Sequence, residues 1–263
     1  MQTPEFRKLE FEMTEDGICI LTFNIPEKLN ALNADCHEDL HTFVDFLESE
    51  PAARVGIVTG AGPKSFTSGN DVSGFDNSVG NKWFPPNRLK EAIDRFETCP
   101  KPIIAAINGY CIGGGVEMAA GCDLRICSDN AWFRMPEVGL GIIPGAGGIQ
   151  RLARICGEAL AKEMVLTARK LKEQEASERG FVMKVVPQEE LMDAALEVAR
   201  MIVAQAPLAV SLAKLSCHIA LDKPKDAADA LELWGQAVLI NTDDAAEGPK
   251  AFMEKRKPVF TGQ

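Results

Sequence analysis

The sequence predicts an α/β fold, and three observations carry that prediction: apolar strands with few polar interruptions, a helical segment after each, and glycine clusters where the two meet. Residues 18 to 24 (ICILTFN) are apolar at nearly every position, the pattern of a strand covered on both faces. The chain then turns through Pro26 into a helix that runs to about Ser49, with Leu40, Phe43, Phe46 and Leu47 at helical spacing. A second round follows. Residues 54 to 62 (RVGIVTGAG) read as a strand ending in glycines, residues 66 to 72 (FTSGNDV) as a loop, and residues 88 to 99 as a helix stopped by Pro100 and Pro102. In the third round residues 102 to 109 (PIIAAING) form a fully apolar strand, residues 113 to 121 (GGGVEMAAG) a helix of small residues, and residues 123 to 129 (DLRICSD) a returning strand. Strands covered on both faces and joined by helices imply parallel pairing.

From about residue 188 the pattern is helical without strands. Residues 189 to 205 place Leu191, Ala195, Val198 and Ile202 on one stripe, and three further helical stretches follow. Pro207, Pro224 and Pro249 punctuate them, each read as close to a helix start. The expected division is a core over residues 1 to 187 and a helical region over 188 to 263.

Composition narrows the function classes. A chain of 263 residues with 46% apolar and 25% charged residues buries a core without help from disulfides or metals. A formal net charge of -10 disfavours nucleic acid and anionic lipid as partners. Any polyanionic ligand must therefore be held by local lysines or backbone amides. The eight cysteines have no C-x-x-C pair or regular spacing and read as reduced core thiols, which suggests a cytoplasmic location. The opening residues lack an apolar signal core, and no apolar run approaches the roughly 18 residues of a membrane span. The expectation is a soluble, unprocessed chain.

Two strings invite a stronger reading than they support. HEDLH at residues 37 to 41 fits the zinc pattern H-E-x-x-H, but a third ligand is wanting and Asp35, Glu38, Asp39 and Asp45 surround it, so it reads as a solvated helix face. GAGPKS at residues 60 to 65 has Pro63 where a nucleotide-binding loop needs glycine. No metal and no separate cofactor are expected.

More informative is residues 108 to 123 (NGYCIGGGVEMAAGCD), directly after a buried strand. Three glycines at a helix start expose backbone N–H groups where the helix dipole favours negative charge, which makes an anion or oxyanion site. Tight packing of the helix on the sheet is the plainer alternative. Glu117 sits one turn into that helix among Val116, Met118, Ala119 and Ala120. It is either on the outer face or desolvated with a raised pKa, as an acid or base at neutral pH requires. Glu137 follows Met135 and Pro136 and precedes an apolar, glycine-rich turn. Two glutamates in such surroundings suggest a general acid and base, although spacing alone does not bring them together. A further glycine locus, residues 65 to 75 (SFTSGNDVSGF), offers amides around Gly69 and Asn70, but alone it is an ordinary loop.

Five segments in this order, PEKLNAL, GPKSFTSGNDV, KPIIAAINGYCIGGGVE, MPEVGLGIIPGAGGIQRL and AEGPKAFMEKRKP, resemble the crotonase superfamily, the enoyl-CoA hydratase/isomerase family, over residues 5 to 260. The resemblance implies a crotonase-like spiral of strand-strand-helix repeats with an all-helical C-terminal trimerisation region, and a homo-trimer or a hexamer made as a dimer of trimers. It implies an acyl-CoA substrate, with coenzyme A as part of the substrate. By the same resemblance the backbone N–H groups of Asn70 and Gly114 form the oxyanion hole, Glu117 activates water for attack at C3, and Glu137 exchanges the proton at C2. CoA contacts fall on Lys28, Leu29, Ser68, Asp71 and Val72, with Phe252 and Lys255 reaching a neighbouring subunit's ligand. Possession of both acids favours reversible hydration of a 2-enoyl-CoA. Double-bond isomerisation, carnitinyl-CoA-type dehydration, other family reactions and a non-catalytic binding role are the alternatives. Three positions depart from the usual pattern: Ser68 and Asn70, and Ser73 in place of a common lysine. Trp83, Phe84, Pro85 and Pro86 belong to a stretch expected to flank the acyl pocket.

Overall fold

A computed structural model describes residues 4 to 71 and 87 to 263. Ten strands and ten helices are present among the described residues, and they fall into two sheets.

The larger sheet is ordered β1 (Glu10–Met13), β2 (Ile18–Phe23), β3 (Val55–Gly60), β5 (Ile103–Ile107), β7 (Leu124–Ser128), β10 (Lys184–Val186). Only the β1–β2 pair is antiparallel; the others are parallel. The smaller sheet is ordered β4 (Ser65–Thr67), β6 (Tyr110–Ile112), β8 (Trp132–Arg134), β9 (Leu171–Lys172). The chain alternates between them. β3 and β4 are followed by α2 (Arg88–Thr98), β5 and β6 by α3 (Gly114–Gly121), and β7 and β8 by α4 (Gly148–Cys156). That alternation is the spiral of strand-strand-helix turns.

The period-two geometry of the strands divides the core. Cys19, Leu21 and Phe23 of β2, Val58 of β3, and Ile103, Ala105 and Ile107 of β5 point to one side, where α1 (Ala34–Ser49) adds Leu40, Phe43 and Leu47. Ile18, Ile20, Val55, Ile57, Ile104 and Ala106 point to the other. That face is covered by Leu191, Ala194, Ala195 and Ala199 of α7 (Leu191–Val203). The sheet is thus buried on both faces, which is why its strands carry so few polar residues. α7 lies inside the region read as helical from sequence, and it supplies four of the twelve residues buried in this second core.

Beyond α7 come α8 (Pro207–Ile219), α9 (Lys225–Leu239) and α10 (Asp243–Met253). Neither α8 nor α9 has a single buried residue in the isolated chain, and Leu233, Trp234 and Val238 of α9 are 73%, 72% and 61% exposed. Among the described residues no single helix is long and apolar enough to cross a membrane.

The structure corrects three expectations from sequence. Residues 65 to 67, assigned to a loop, form β4, whose pairing with β6 comes from Tyr110 and Cys111, more than forty residues away. Pro249 is inside α10 and not at its start, because the Thr242 side chain accepts a hydrogen bond from Ala245 N and begins the helix upstream. The histidines of α1 are half-buried and partnered, not solvated: His37 Nε2 is 3.0 Å from Asn70 Oδ1, and His41 Nε2 is 3.1 Å from the Arg88 carbonyl.

Candidate active site

The site forms where three turns of the spiral present their strand ends. β6 runs into Gly113, which has φ 53° and ψ -117°, a conformation that a side chain resists. A Cβ on Gly113 would also lie 2.8 Å from Glu137 Oε1. α3 then starts at Gly114, whose N–H lies in the first turn and has no acceptor among the described residues.

The loop after β4 rests on this helix start. Gly69 has φ +85°, and a Cβ there would come within 2.7 Å of the Ile112 carbonyl and 3.0 Å of Gly114 N. Only glycine lets the two backbones approach so closely. Asn70 N is consequently 3.6 Å from the point where a Gly114 Cβ would sit, and it too has no acceptor among the described residues. The loop is pinned from the other side, since Leu32 N donates to Gly69 O at 2.8 Å and Asp71 N donates to Leu32 O at 2.8 Å. Two unpaired amides, from loops forty-four residues apart, are therefore held side by side. The small residues of the glycine string thus serve both readings weighed from sequence, because close backbone packing is what exposes the amides.

Glu117 and Glu137 are both buried, at 4% and 8% exposure, and their surroundings differ. Glu117 projects from the first turn of α3 toward the turn that leads into α4. There its Oε1 accepts hydrogen bonds from Ala146 N at 2.7 Å and Gly148 N at 3.0 Å. Burial pushes its pKa above the usual glutamate value, while those two amides and the Arg151 charge pull the other way. Gly148 leaves the room this needs: a Cβ there would be 2.6 Å from Glu117 Cγ. Glu137 begins the 3-10 turn Glu137–Leu140 after β8. Its Oε2 is buried with no hydrogen-bond partner among the described residues. Burial, opposed by its own backbone N–H and aided by the Glu117 charge, pushes its pKa up to about 7. One carboxyl is thus supplied with donors that favour its charged form, and the other is denied them.

The expected CoA positions divide into two groups. Lys28 and Leu29 lie against the Ser68 to Asp71 loop: Ser68 N donates to Leu29 O at 3.0 Å, and Lys28 Nζ is 3.4 Å from Asp71 Oδ2. Leu29 takes a left-handed conformation, with φ 53°, to end the short Pro26–Lys28 turn. Phe252 and Lys255 are at the end of α10, with Phe252 82% exposed, and they make no hydrogen bond or ion pair to the other candidate residues among the described residues. Val72 and Ser73, and the expected acyl-pocket residues Trp83 to Pro86, lie outside the described residues.

Sequence reasoning missed Arg151, the only other charged side chain acting on Glu117 besides Glu137 among the described residues. No sequence signal marked it: Arg151 is buried beside Leu152 on the inner side of α4, and its partners Asp94 and Glu97 lie more than fifty residues away. His37, seen only as half of a zinc pattern, was missed as a neighbour of Asn70.

Comparison with known proteins agrees with this geometry. The Enoyl-CoA hydratase/isomerase family model matches residues 13 to 263, nearly the whole chain. The chain belongs to that family. A short-chain-enoyl-CoA hydratase of Clostridium acetobutylicum is 41% identical over 245 residues, covering 92% of this chain and 94% of its own. The carnitinyl-CoA dehydratase of Escherichia coli K12 is 38% identical over 260 residues, covering 95% of this chain and 98% of its own. The crystal structure of an enoyl-CoA hydratase from Bacillus anthracis superposes with a TM-score of 0.92 at 34% identity, over 98% of this chain and all of that one. The spiral of the enoyl-CoA hydratase/isomerase family is therefore the fold of this chain as well.

Proposed function

We propose that this chain reversibly adds water across the 2,3 double bond of a short-chain 2-enoyl-CoA thioester. The observation that carries the proposal is the pairing of two buried glutamates in opposed environments beside two unpaired amides.

In this reading the thioester oxygen accepts hydrogen bonds from the N–H groups of Asn70 and Gly114. As water attacks C3, charge moves from the double bond to that oxygen, and donors already in place stabilise it by roughly 3 kcal/mol each. Glu117, kept available as a carboxylate by the Ala146 and Gly148 amides, takes a proton from the attacking water. Glu137, whose pKa of about 7 leaves much of it protonated at neutral pH, delivers its proton to C2. The product is a 3-hydroxyacyl-CoA. Both carboxyls end in the opposite protonation state and reset by exchange with solvent, and the reverse sequence is dehydration. The two-carboxylate site favours hydration over double-bond isomerisation, for which a single carboxyl suffices.

For the CoA moiety, the strip formed by Lys28 and Leu29 and the facing Ser68 and Asp71 supplies backbone groups and a local cation in a chain of net charge -10. Val72 belongs to the same expected set. Exposure of Phe252 and Lys255 at the end of α10 supports a role for both toward the ligand of a neighbouring copy. A trimer, or a dimer of trimers, is supported by the unburied α8 and α9 and the exposed Leu233, Trp234 and Val238. Light scattering of the purified protein would give three or six times the 28.5 kDa chain mass; a monomer at micromolar concentration would refute this assembly.

The hydration reading is tested with crotonyl-CoA, by loss of the conjugated-enoyl absorbance and by product mass. Gain of one water supports it, and an isomeric product of unchanged mass overturns it.

A further inference from the structure

The catalytic reading of Glu117 leaves open what holds the turn that holds Glu117. Arg151, in the first turns of α4, is 7% exposed. Its Nη1 donates to the Ala146 carbonyl at 2.7 Å, and its Nη2 donates to Asp94 Oδ1 at 2.8 Å and Glu97 Oε2 at 2.6 Å, both on α2. Ala146 is thus bonded at both ends, its carbonyl to Arg151 and its amide to Glu117 Oε1. Gly147 keeps this possible, since a Cβ there would fall 2.2 Å from Arg151 Nη1. At the other end of the turn, the Asn87 side chain at the N-cap of α2 donates to the Gly145 carbonyl at 3.1 Å. α2 also borders the amide pair: a Cβ on Gly114 would be 3.1 Å from Leu89 Cδ2.

Resting on the reading of Glu117 as the base, we propose that Arg151 is a positioning residue. It clamps the turn from Gly145 to Gly148 onto α2 and so fixes the two amides that hold the Glu117 carboxylate. A guanidinium that only cross-linked α2 and α4 would have no need of the Ala146 carbonyl. The charged groups facing Glu117 are Glu137, from the turn after β8, and Arg151, from α4; those facing Arg151 are Asp94 and Glu97, from α2. Arg151 favours the ionised form of Glu117, so the two effects, position and charge, act in the same direction.

The test is the pH profile of kcat with crotonyl-CoA for the full chain and four variants, with CoA-ester affinity measured alongside. Arg151→Met removes the clamp and the charge. Its kcat is expected to fall about 10- to 100-fold with Kd changed less than about threefold, and its acidic limb to move to higher pH. Arg151→Lys, which keeps the charge, should return the limb toward its original position. Should Arg151→Met not fold, the double variant Asp94→Asn with Glu97→Gln leaves the cation uncompensated and moves the limb the opposite way, to lower pH. Folded variants whose limbs stay within about 0.2 pH unit of the parent overturn the proposal, whatever their stability. Glu117→Gln separates the two levels: if its acidic limb survives, Glu117 is not the base and the underlying reading fails. If the limb is lost there but unmoved by the Arg151 variants, only the positioning role fails.

Discussion

Replacing Glu137 by glutamine should make the protein more stable at alkaline pH while abolishing turnover. The reason is the burial of a carboxyl whose Oε2 has no partner, which raises its pKa from 4.5 to about 7. For an acid whose pKa is raised by folding, the associated stability is fully present below 4.5 and is lost as pH rises through about 7. At about 1.4 kcal/mol per pH unit, the whole loss is about 3.5 kcal/mol, of which about 2.5 kcal/mol falls between about pH 5 and pH 8.5. Glutamine resembles the protonated carboxyl in shape and does not ionise, so the variant escapes that loss. Urea denaturation followed by circular dichroism at both pH values, on parent and Glu137→Gln, measures the difference of differences. The variant should gain about 2.5 kcal/mol on the parent between the two conditions. A gap between the two proteins that is the same at both pH values would refute the reasoning, because Glu137 would then titrate as an exposed carboxylate.

Three further outcomes follow from the same geometry. Glu117→Gln and Glu137→Gln should each lower kcat by orders of magnitude with CoA-ester Kd little changed, checked by steady-state kinetics and calorimetry; near-normal turnover in both would remove their assigned roles. Gly148→Ala puts a Cβ 2.6 Å from Glu117 Cγ, and its kcat should fall at least about tenfold in a folded protein. The parent's kcat should be bell-shaped in pH, with an acidic limb above the usual glutamate value from Glu117 and an alkaline limb near 7 from Glu137. A profile still rising at pH 9 would contradict the assignment of Glu137 as the acid.

What the sequence discloses depends on how local the physics is. β2, β3 and β5 were legible because burial on both faces leaves strands of five or six residues with at most one polar side chain each, and α1 because its apolar residues recur at helical spacing. β4, β6 and β8 were not, since three residues each carry no period, and their pairing partners are far along the chain. The candidate site was half legible. Gly113 to Gly115 marked a helix start with exposed amides, but the state of Glu117 was open until Ala146 and Gly148, about thirty residues on, were seen to hold it. Arg151 and the His37–Asn70 contact depend wholly on contacts between distant segments, and no spacing in the sequence announces them.

The central claim is hydration, and the direct measurement is the mass of the product formed from crotonyl-CoA in buffer made with 18O-labelled water. The account predicts a hydroxyacyl-CoA carrying one labelled oxygen, with no product from Glu117→Gln on the same time scale. An unlabelled isomer, or an unchanged substrate that binds but does not turn over, would contradict it.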